Sequence, residues 1–473
     1  MRHVQSTKQS LTKQCLAALK FSDKNGQIQV SPEDWKKYDP QALLRHLSTL
    51  IVQGTIKFPY KRYFYTIPEL RDNLTKFKEL PFLCEHKAFK PCNTVLKTNV
   101  IDCMYKGPWP QECTLNCTSV SSAGETKEVG DLQYLSIGTK AGWYNTYHTI
   151  ADYFVEPIRL SARRLDTALT PLQYFKTVRG SMECLKTSLK KYGPEINTRT
   201  LREAMYPQIK ECETFKVSLA YLIYTKVFRA TSVLDFCAGW GDRLVAAIAA
   251  GIQYTGIDVN PKLKECYQNI IQNLVPEEHK RRYTMYTNDW LEQKMPGAGS
   301  ANSEAPVTSV AGTKETPCAS TGTEVYNLIF TCPPYFNLEL YDEFSTNQST
   351  SRFRDCQTWT RFWLCESLRK AWSHLQTGGH MVIVLNDFSH KQKTKEHYCE
   401  AMVLWCIAFL KNCQFNGIMS YTNRDERPEE ERVAVHQPIW VFEKVQSVPG
   451  PCAKKRNYAL KMLQLHYSYM IVA

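Results

Sequence analysis

The stretch 231–263, "TSVLDFCAGWGDRLVAAIAAGIQYTGIDVNPKL", limits what this chain can fold into more than any other. "SVLDFC" is a short apolar run that reads as a buried strand. "AGWGD" places two glycines in a tight turn, and "RLVAAIAAGI" has the apolar content of a helix ending near Gly251. "YTGIDV" is a second strand, ending in an acid. Together they form a β-α-β unit with a glycine turn after its first strand. Such units build open α/β sheets, whose ligands bind at the carboxyl ends of the strands.

The residues at those ends suit a nucleoside-like ligand. Gly239 and Gly241 let the backbone approach a ligand closely and take dihedrals that other residues avoid. Asp235, ending the first strand, can engage a cationic or hydrogen-bonding group. Asp258, ending the second, is placed for two ribose hydroxyls, as in dinucleotide folds. "YTNDWLE" brings Asn288 and Asp289 to a third strand end, where a carboxylate can accept from an adenine amino group. The dinucleotide motif G-x-G-x-x-G is absent, since Leu244 follows the two glycines. Structural glycines in some other α/β protein are the alternative reading.

A second stretch, "YNLIFTCPPYFNLELY" over 326–341, begins like a buried strand and breaks at Pro333 and Pro334, with Tyr335 and Phe336 behind them. Two adjacent prolines lock the backbone. With the earlier glycine turn, this stretch resembles the class I S-adenosylmethionine-dependent methyltransferases, and within them the amino-methyltransferases acting on adenine or cytosine in DNA. Their catalytic motif is Asp, Asn or Ser followed by Pro-Pro and an aromatic. The likeness continues through Gln348-Ser349, Trp359, Leu375 with Gly378-Gly379, Asn386-Asp387 and the closing strand "RVAVHQPIWVFEK". It covers roughly residues 200 to 445, in the family's γ order.

The resemblance implies a Rossmann-like class I methyltransferase sheet beside a helical, basic N-terminal region. It implies S-adenosyl-L-methionine bound by Asp235, Ala238, Gly239, Gly241, Asp258 and Asp289. Cys332, Pro333, Pro334 and Tyr335 take the catalytic positions. The Pro333 carbonyl would accept from the amino group, Tyr335 would stack on a flipped base, and Phe336 would wall the substrate pocket. Cys332 departs from the family pattern, because a thiol is both a weak donor and a weak acceptor. Small size at that position resembles the Ser form, and the choice between adenine and cytosine stays open.

A net charge of +13 over 473 residues favours an anionic partner, nucleic acid before membrane, and the family points to DNA ahead of RNA. No stretch approaches the ~18 apolar residues of a membrane helix, and the N-terminus lacks an apolar signal core. An intracellular, soluble protein with reduced thiols is therefore expected of the 18 cysteines. Those between 81 and 120 are too irregularly spaced for a zinc site, and no metal is expected.

The expected layout is an accessory region over 1–150, a methyltransferase domain over 151–445 and a basic tail over 446–473. Residues 293–324, rich in Gly, Ala, Ser, Thr and Pro, are expected to be a disordered insertion. "SPEDWKKYDPQALLRHLSTLIV" reads as helix, and "GTIKFPYKRYFYTI" as a basic, aromatic strand or hairpin, serving either packing or nucleic-acid binding. Lys61-Arg62, Arg163-Arg164 and Lys454-Lys455-Arg456 are candidate phosphate contacts.

Overall fold

The computed structural model describes residues 21–88, 105–108, 110, 133–139, 147, 149–295, 326–342, 345–390, 394–396, 398–422, 436–446 and 450–471. Residues 296–324 of the expected insertion and most of the cysteine-rich segment lie outside them. Among the described residues no three His, Cys, Asp or Glu gather as metal ligands, and no helix is long and apolar enough to cross a membrane.

The chain forms two compact units. One comprises 1–69, 152–213 and 339–343, the other 70–151, 214–338 and 344–473. This differs from a division at residue 150, because two strands before that point join the main sheet while the helices after it pack with the N-terminal ones.

In the first unit, helix α1 (Pro32–Lys37) starts at a capping box. The Asp34 N–H donates to the Ser31 hydroxyl and the Ser31 N–H to the Asp34 carboxylate. Helix α2 (Pro40–Val52) is capped by Asp39 and buries Leu43, Leu44, Leu47 and Ile51. The unit also holds α3 (Thr149–Arg159) from Asp152 onward, α4 (Val178–Tyr192) and α5 (Thr198–Met205).

Under these helices runs a buried ionic network. Asp152 takes Lys61 at 2.6 Å and Arg159 at 2.8 Å, Arg159 reaches Glu211 at 2.9 Å, and Arg202 holds Glu156 at 3.0 Å. Burial alone would raise the Asp152 carboxyl, but Arg159 and Lys61 outweigh it and hold it well below the usual range. The Lys61 backbone N–H also donates to Glu156, at 2.5 Å. The segment expected to be a strand is therefore a 3-10 turn, Lys61–Tyr63: its donors go to helix α3 and not to a neighbouring strand.

The second unit is built on nine strands: β1 (Leu83–Ala88), β2 (Gln133–Gly138), β3 (Ser232–Asp235), β4 (Gln253–Ile257), β5 (Tyr283–Tyr286), β6 (Tyr326–Thr331), β7 (Leu375–Val384), β8 (Cys413–Thr422) and β9 (His436–Lys444). Their spatial order is β1-β2-β8-β9-β7-β6-β3-β4-β5. Strands β5, β4, β3, β6 and β7 are parallel, and β9 runs antiparallel to both its neighbours. From β3 the chain winds outward through β4 and β5, then returns to place β6 and β7 on the other side. Strand order thus reverses between β3 and β6, where open α/β sheets bind their ligands.

Strands β3, β4 and β6 are buried on both faces. Helix α6 (Asp242–Ala250) follows β3, and α7 (Lys264–Leu274) follows β4. Helix α8 (Cys399–Phe409) is apolar nearly all round and buried along its length. The basic tail is covered by α9 (Gly450–His466), whose Ala459 and Leu463 are buried in the same core; next to it the Tyr467 hydroxyl donates to the buried Glu400 at 2.6 Å. Ten described cysteines lie outside any disulfide, whereas Cys84 on β1 is disulfide-bonded, against the expectation of thiols throughout.

Candidate functional site

Two sequence motifs leave adjacent parallel strands at the reversal point. The turn Phe236–Gly241 follows β3, and Cys332–Tyr335 follows β6, with Val233 and Leu234 registered against Leu328 and Ile329.

The turn after β3 is left-handed at both glycines, with φ +60° at Gly239 and +87° at Gly241. A Cβ on Gly239 would meet nothing closer than 3.8 Å, so its outer side is open. At Gly241 a Cβ would stand 2.9 Å from Ile270 of α7, so this glycine serves packing as well as conformation. The buried Ala238 donates its N–H to the Ile257 carbonyl at 2.8 Å, tying the turn to the end of β4. The Tyr267 hydroxyl donates to the Gly239 carbonyl from behind.

Asp235 is fully buried, and its carboxylate is filled by protein donors. Arg243 gives a 2.6 Å contact, the Tyr254 hydroxyl one of 2.7 Å, Thr331 one of 2.9 Å and the Cys237 N–H one of 3.2 Å. It therefore braces the turn, and the expectation that it touches a ligand does not fit this arrangement. Asp258 is only partly buried. Its carboxylate accepts from the Gly239 N–H at 2.8 Å and the Asn260 N–H at 3.0 Å. Burial outweighs those two donors and pushes its carboxyl up to about 6.

Beyond the ends of β4 and β5 lies an open pocket of about 620 Å³. Val259, Asn288, Asp289, Asn347 and Arg352 are among its lining residues. Asp289 is the one expected cofactor residue on this wall; Asp235, Ala238, Gly239, Gly241 and Asp258 do not line it. Arg352 forms an ion pair with Asp289, and the Asn288 side chain donates to Gln293 at 2.8 Å.

In the loop after β6, Pro333 is buried, and Cys332 and Pro334 are partly exposed. The Tyr335 hydroxyl donates to the Gln437 side chain at 3.1 Å, and Tyr421 donates to the same oxygen at 2.7 Å. Burial, then the neighbouring Cys332 and Tyr421, push the Tyr335 hydroxyl well above its ordinary pKa. Its hydroxyl end is thus held by Gln437, while its backbone follows directly on the two prolines. Phe336 is 5% exposed, takes φ +48° and packs 5.7 Å from the Trp359 ring. It belongs to the core because the turn after Tyr335 drives it inward.

Other parts of the motif series are internal ties. The Trp359 Nε1 donates to the Ser349 hydroxyl at 3.0 Å, and the Asp387 carboxylate caps α8 through the N–H groups of Tyr398 and Cys399. Arg243, Tyr254, Tyr267, Arg352 and Gln437 complete these contacts from positions outside the two motifs. Only Arg243 carried a local signal, being the one cation in the turn-helix junction.

The strand reversal and the two motif loops decide the architecture. The fold is Rossmann-like. A scan of protein-family models finds no match, and a search of curated proteins finds none. Among solved structures the chain is similar to an O-methyltransferase of a trans-AT PKS multienzyme from Brevibacillus brevis. There the identity is 11%, the coverage 54% of this chain and 80% of the other, and the TM-score 0.30. An rRNA methylase from Streptococcus thermophilus has 11% identity, 50% and 98% coverage and a TM-score of 0.26. Magnesium protoporphyrin IX methyltransferase from Synechocystis has 10% identity, 45% and 70% coverage and a TM-score of 0.26. These superpositions are loose, and the strand order itself carries the statement of fold.

Proposed function

We propose that the chain is a class I methyltransferase that uses S-adenosyl-L-methionine to methylate an exocyclic amino group of a base in nucleic acid, DNA ahead of RNA. The observation that supports this most is the meeting of two loops at the strand reversal. One carries an open glycine turn next to an acid, the other a proline-locked aromatic.

The residues present fit the methyl donor. The open side of Gly239 leaves room for a ligand against the backbone, and a free Asp258 oxygen lone pair suits ribose hydroxyls. The pocket beside Asp289 suits an adenine ring. The donor supplies an electrophilic methyl group. Asp235 positions the turn through Arg243 and Tyr254 and does not itself bind.

An exocyclic amino group is a poor nucleophile, because its lone pair is delocalised into the ring. Acceptors for its protons draw the nitrogen towards tetrahedral geometry. The carbonyl of Pro333, fixed by the two prolines, is one such acceptor. Cys332 is a weaker one. Tyr335, its hydroxyl anchored to Gln437, offers a ring against which a flipped base can stack. Unpairing that base costs a few kcal/mol, which the stack offsets in part.

The test is transfer of radiolabelled methyl to DNA and RNA by the parent and by Tyr335→Ala. Loss of transfer with donor binding kept supports the reading. Unchanged transfer removes the role given to the ring.

A further inference from the structure

The buried ionic network of the first unit has no part in the site described above, yet it holds one short segment firmly. Lys61 is fixed by its ammonium to Asp152 and by its backbone N–H to Glu156. On either side of it the chain reads "KFPYKRYFYTIP", with no acid between Gln53 and Glu69.

The rings of this segment interleave with arginines. The Arg62 guanidinium lies 5.1 Å from the Tyr60 ring centre and 5.4 Å from that of Tyr63. Arg199, from α5, lies 5.4 Å from Phe64 and 6.0 Å from Tyr65. Tyr206, after α5, covers Arg202 at 4.3 Å and Lys61 at 5.6 Å. Tyr63 and Tyr206 remain 39% and 40% exposed, and Arg62 and Arg199 are exposed. Neither guanidinium pairs with a carboxylate among the described residues.

A segment used only for packing would bury its rings and pair its cations. Here rings and unpaired guanidiniums are presented together on a rigid base. Rings stack on unpaired bases of any sequence, and arginines meet phosphates. An anchored loop also loses little entropy when it binds.

We infer that the surface formed by Tyr60, Arg62, Tyr63, Arg199 and Tyr206 binds single-stranded nucleic acid. The inference deepens the nucleic-acid part of the proposed function and does not require catalysis.

The full chain is titrated against fluorescein-labelled oligothymidylate and oligouridylate, a matched duplex and polyglutamate, by anisotropy over a range of salt. Binding of the methyl donor is measured in parallel by calorimetry. Both oligonucleotides bind better than the duplex, and polyglutamate does not compete. Tyr63→Ala and Arg62→Ala each weaken single-strand binding about tenfold, with donor binding and melting temperature kept. Arg62→Lys keeps the charge and still loses severalfold, because the stack is gone.

Unchanged single-strand affinity in Tyr63→Ala and Arg62→Ala overturns the inference, as does preference for the duplex or equal competition by polyglutamate. Failure of the methyltransferase reading looks different: no donor binding or transfer, with stack-dependent single-strand binding intact.

Discussion

The Thr331 hydroxyl donates a 2.9 Å hydrogen bond to the Asp235 carboxylate. Thr331 is the residue before Cys-Pro-Pro-Tyr, and Asp235 is the last residue before the glycine turn, so one bond ties the two motif-bearing strands at their working ends. Asp235 also holds the buried Arg243 and Tyr254.

Asp235→Asn keeps the shape but leaves the Arg243 guanidinium buried without its counter-charge. Losing one partner of a buried pair costs about 3–5 kcal/mol. Thr331→Val removes one donor to that carboxylate and costs about 1.5–3 kcal/mol. Urea unfolding of the two variants compares them. A loss for Asp235→Asn no larger than that for Thr331→Val would contradict the bracing role.

Asp258 gives a pH dependence. Its folded carboxyl titrates near 6, above the ordinary carboxylate value. The folded state therefore binds the proton more tightly than the unfolded chain, and this group's contribution to stability is lost as pH rises from about 4 through 6. Donor binding runs the opposite way, because ribose hydroxyls need the ionised acceptor. Donor affinity measured by calorimetry should rise by up to about tenfold per pH unit below 6 and level off above it. In Asp258→Asn that slope should vanish; a retained slope assigns it to another group.

Tyr335→Phe separates ring from hydroxyl. It gives up the bond to Gln437, at about 1 kcal/mol of stability, and keeps the stack. Methyl transfer should stay within severalfold of the parent in Tyr335→Phe and fall about tenfold or more in Tyr335→Ala. Equal losses in both variants would place the weight on the hydroxyl.

Cys332 is the weak acceptor of the loop. Cys332→Ser supplies a better one and should leave transfer equal or faster by severalfold. Cys332→Ala, with the Pro333 carbonyl retained, should stay within about tenfold. If parent and variants all bind donor and none transfers methyl, a nucleic-acid-binding scaffold on the same fold accounts for the chain better.

What the sequence revealed was local. The β-α-β unit showed itself because strand, glycine turn, helix and strand lie within about thirty residues, each with its own period. Asp235 was legible as a strand end, but its occupancy was not, since Arg243, Tyr254 and Thr331 come from three other elements. Phe336 looks like a pocket residue in sequence, and only the left-handed turn after Tyr335 sends it into the core. The aromatic segment around Lys61 has strand-like composition, yet Glu156 and Asp152, some ninety residues away, take its donors. The two-unit division was hidden for the same reason, being made by long-range packing.

If the two loops at the strand reversal form one site, a methyl group passes there from donor to base. Mass spectrometry of nucleosides tests it most directly, after DNA and RNA are incubated with the protein and S-adenosyl-L-methionine. The expected product is a methylated exocyclic amino group on adenine or cytosine, in DNA above RNA, lost in Tyr335→Ala. Donor binding without any methylated nucleoside in either polymer, or a methyl group on a ring atom unaffected by Tyr335→Ala, would contradict it.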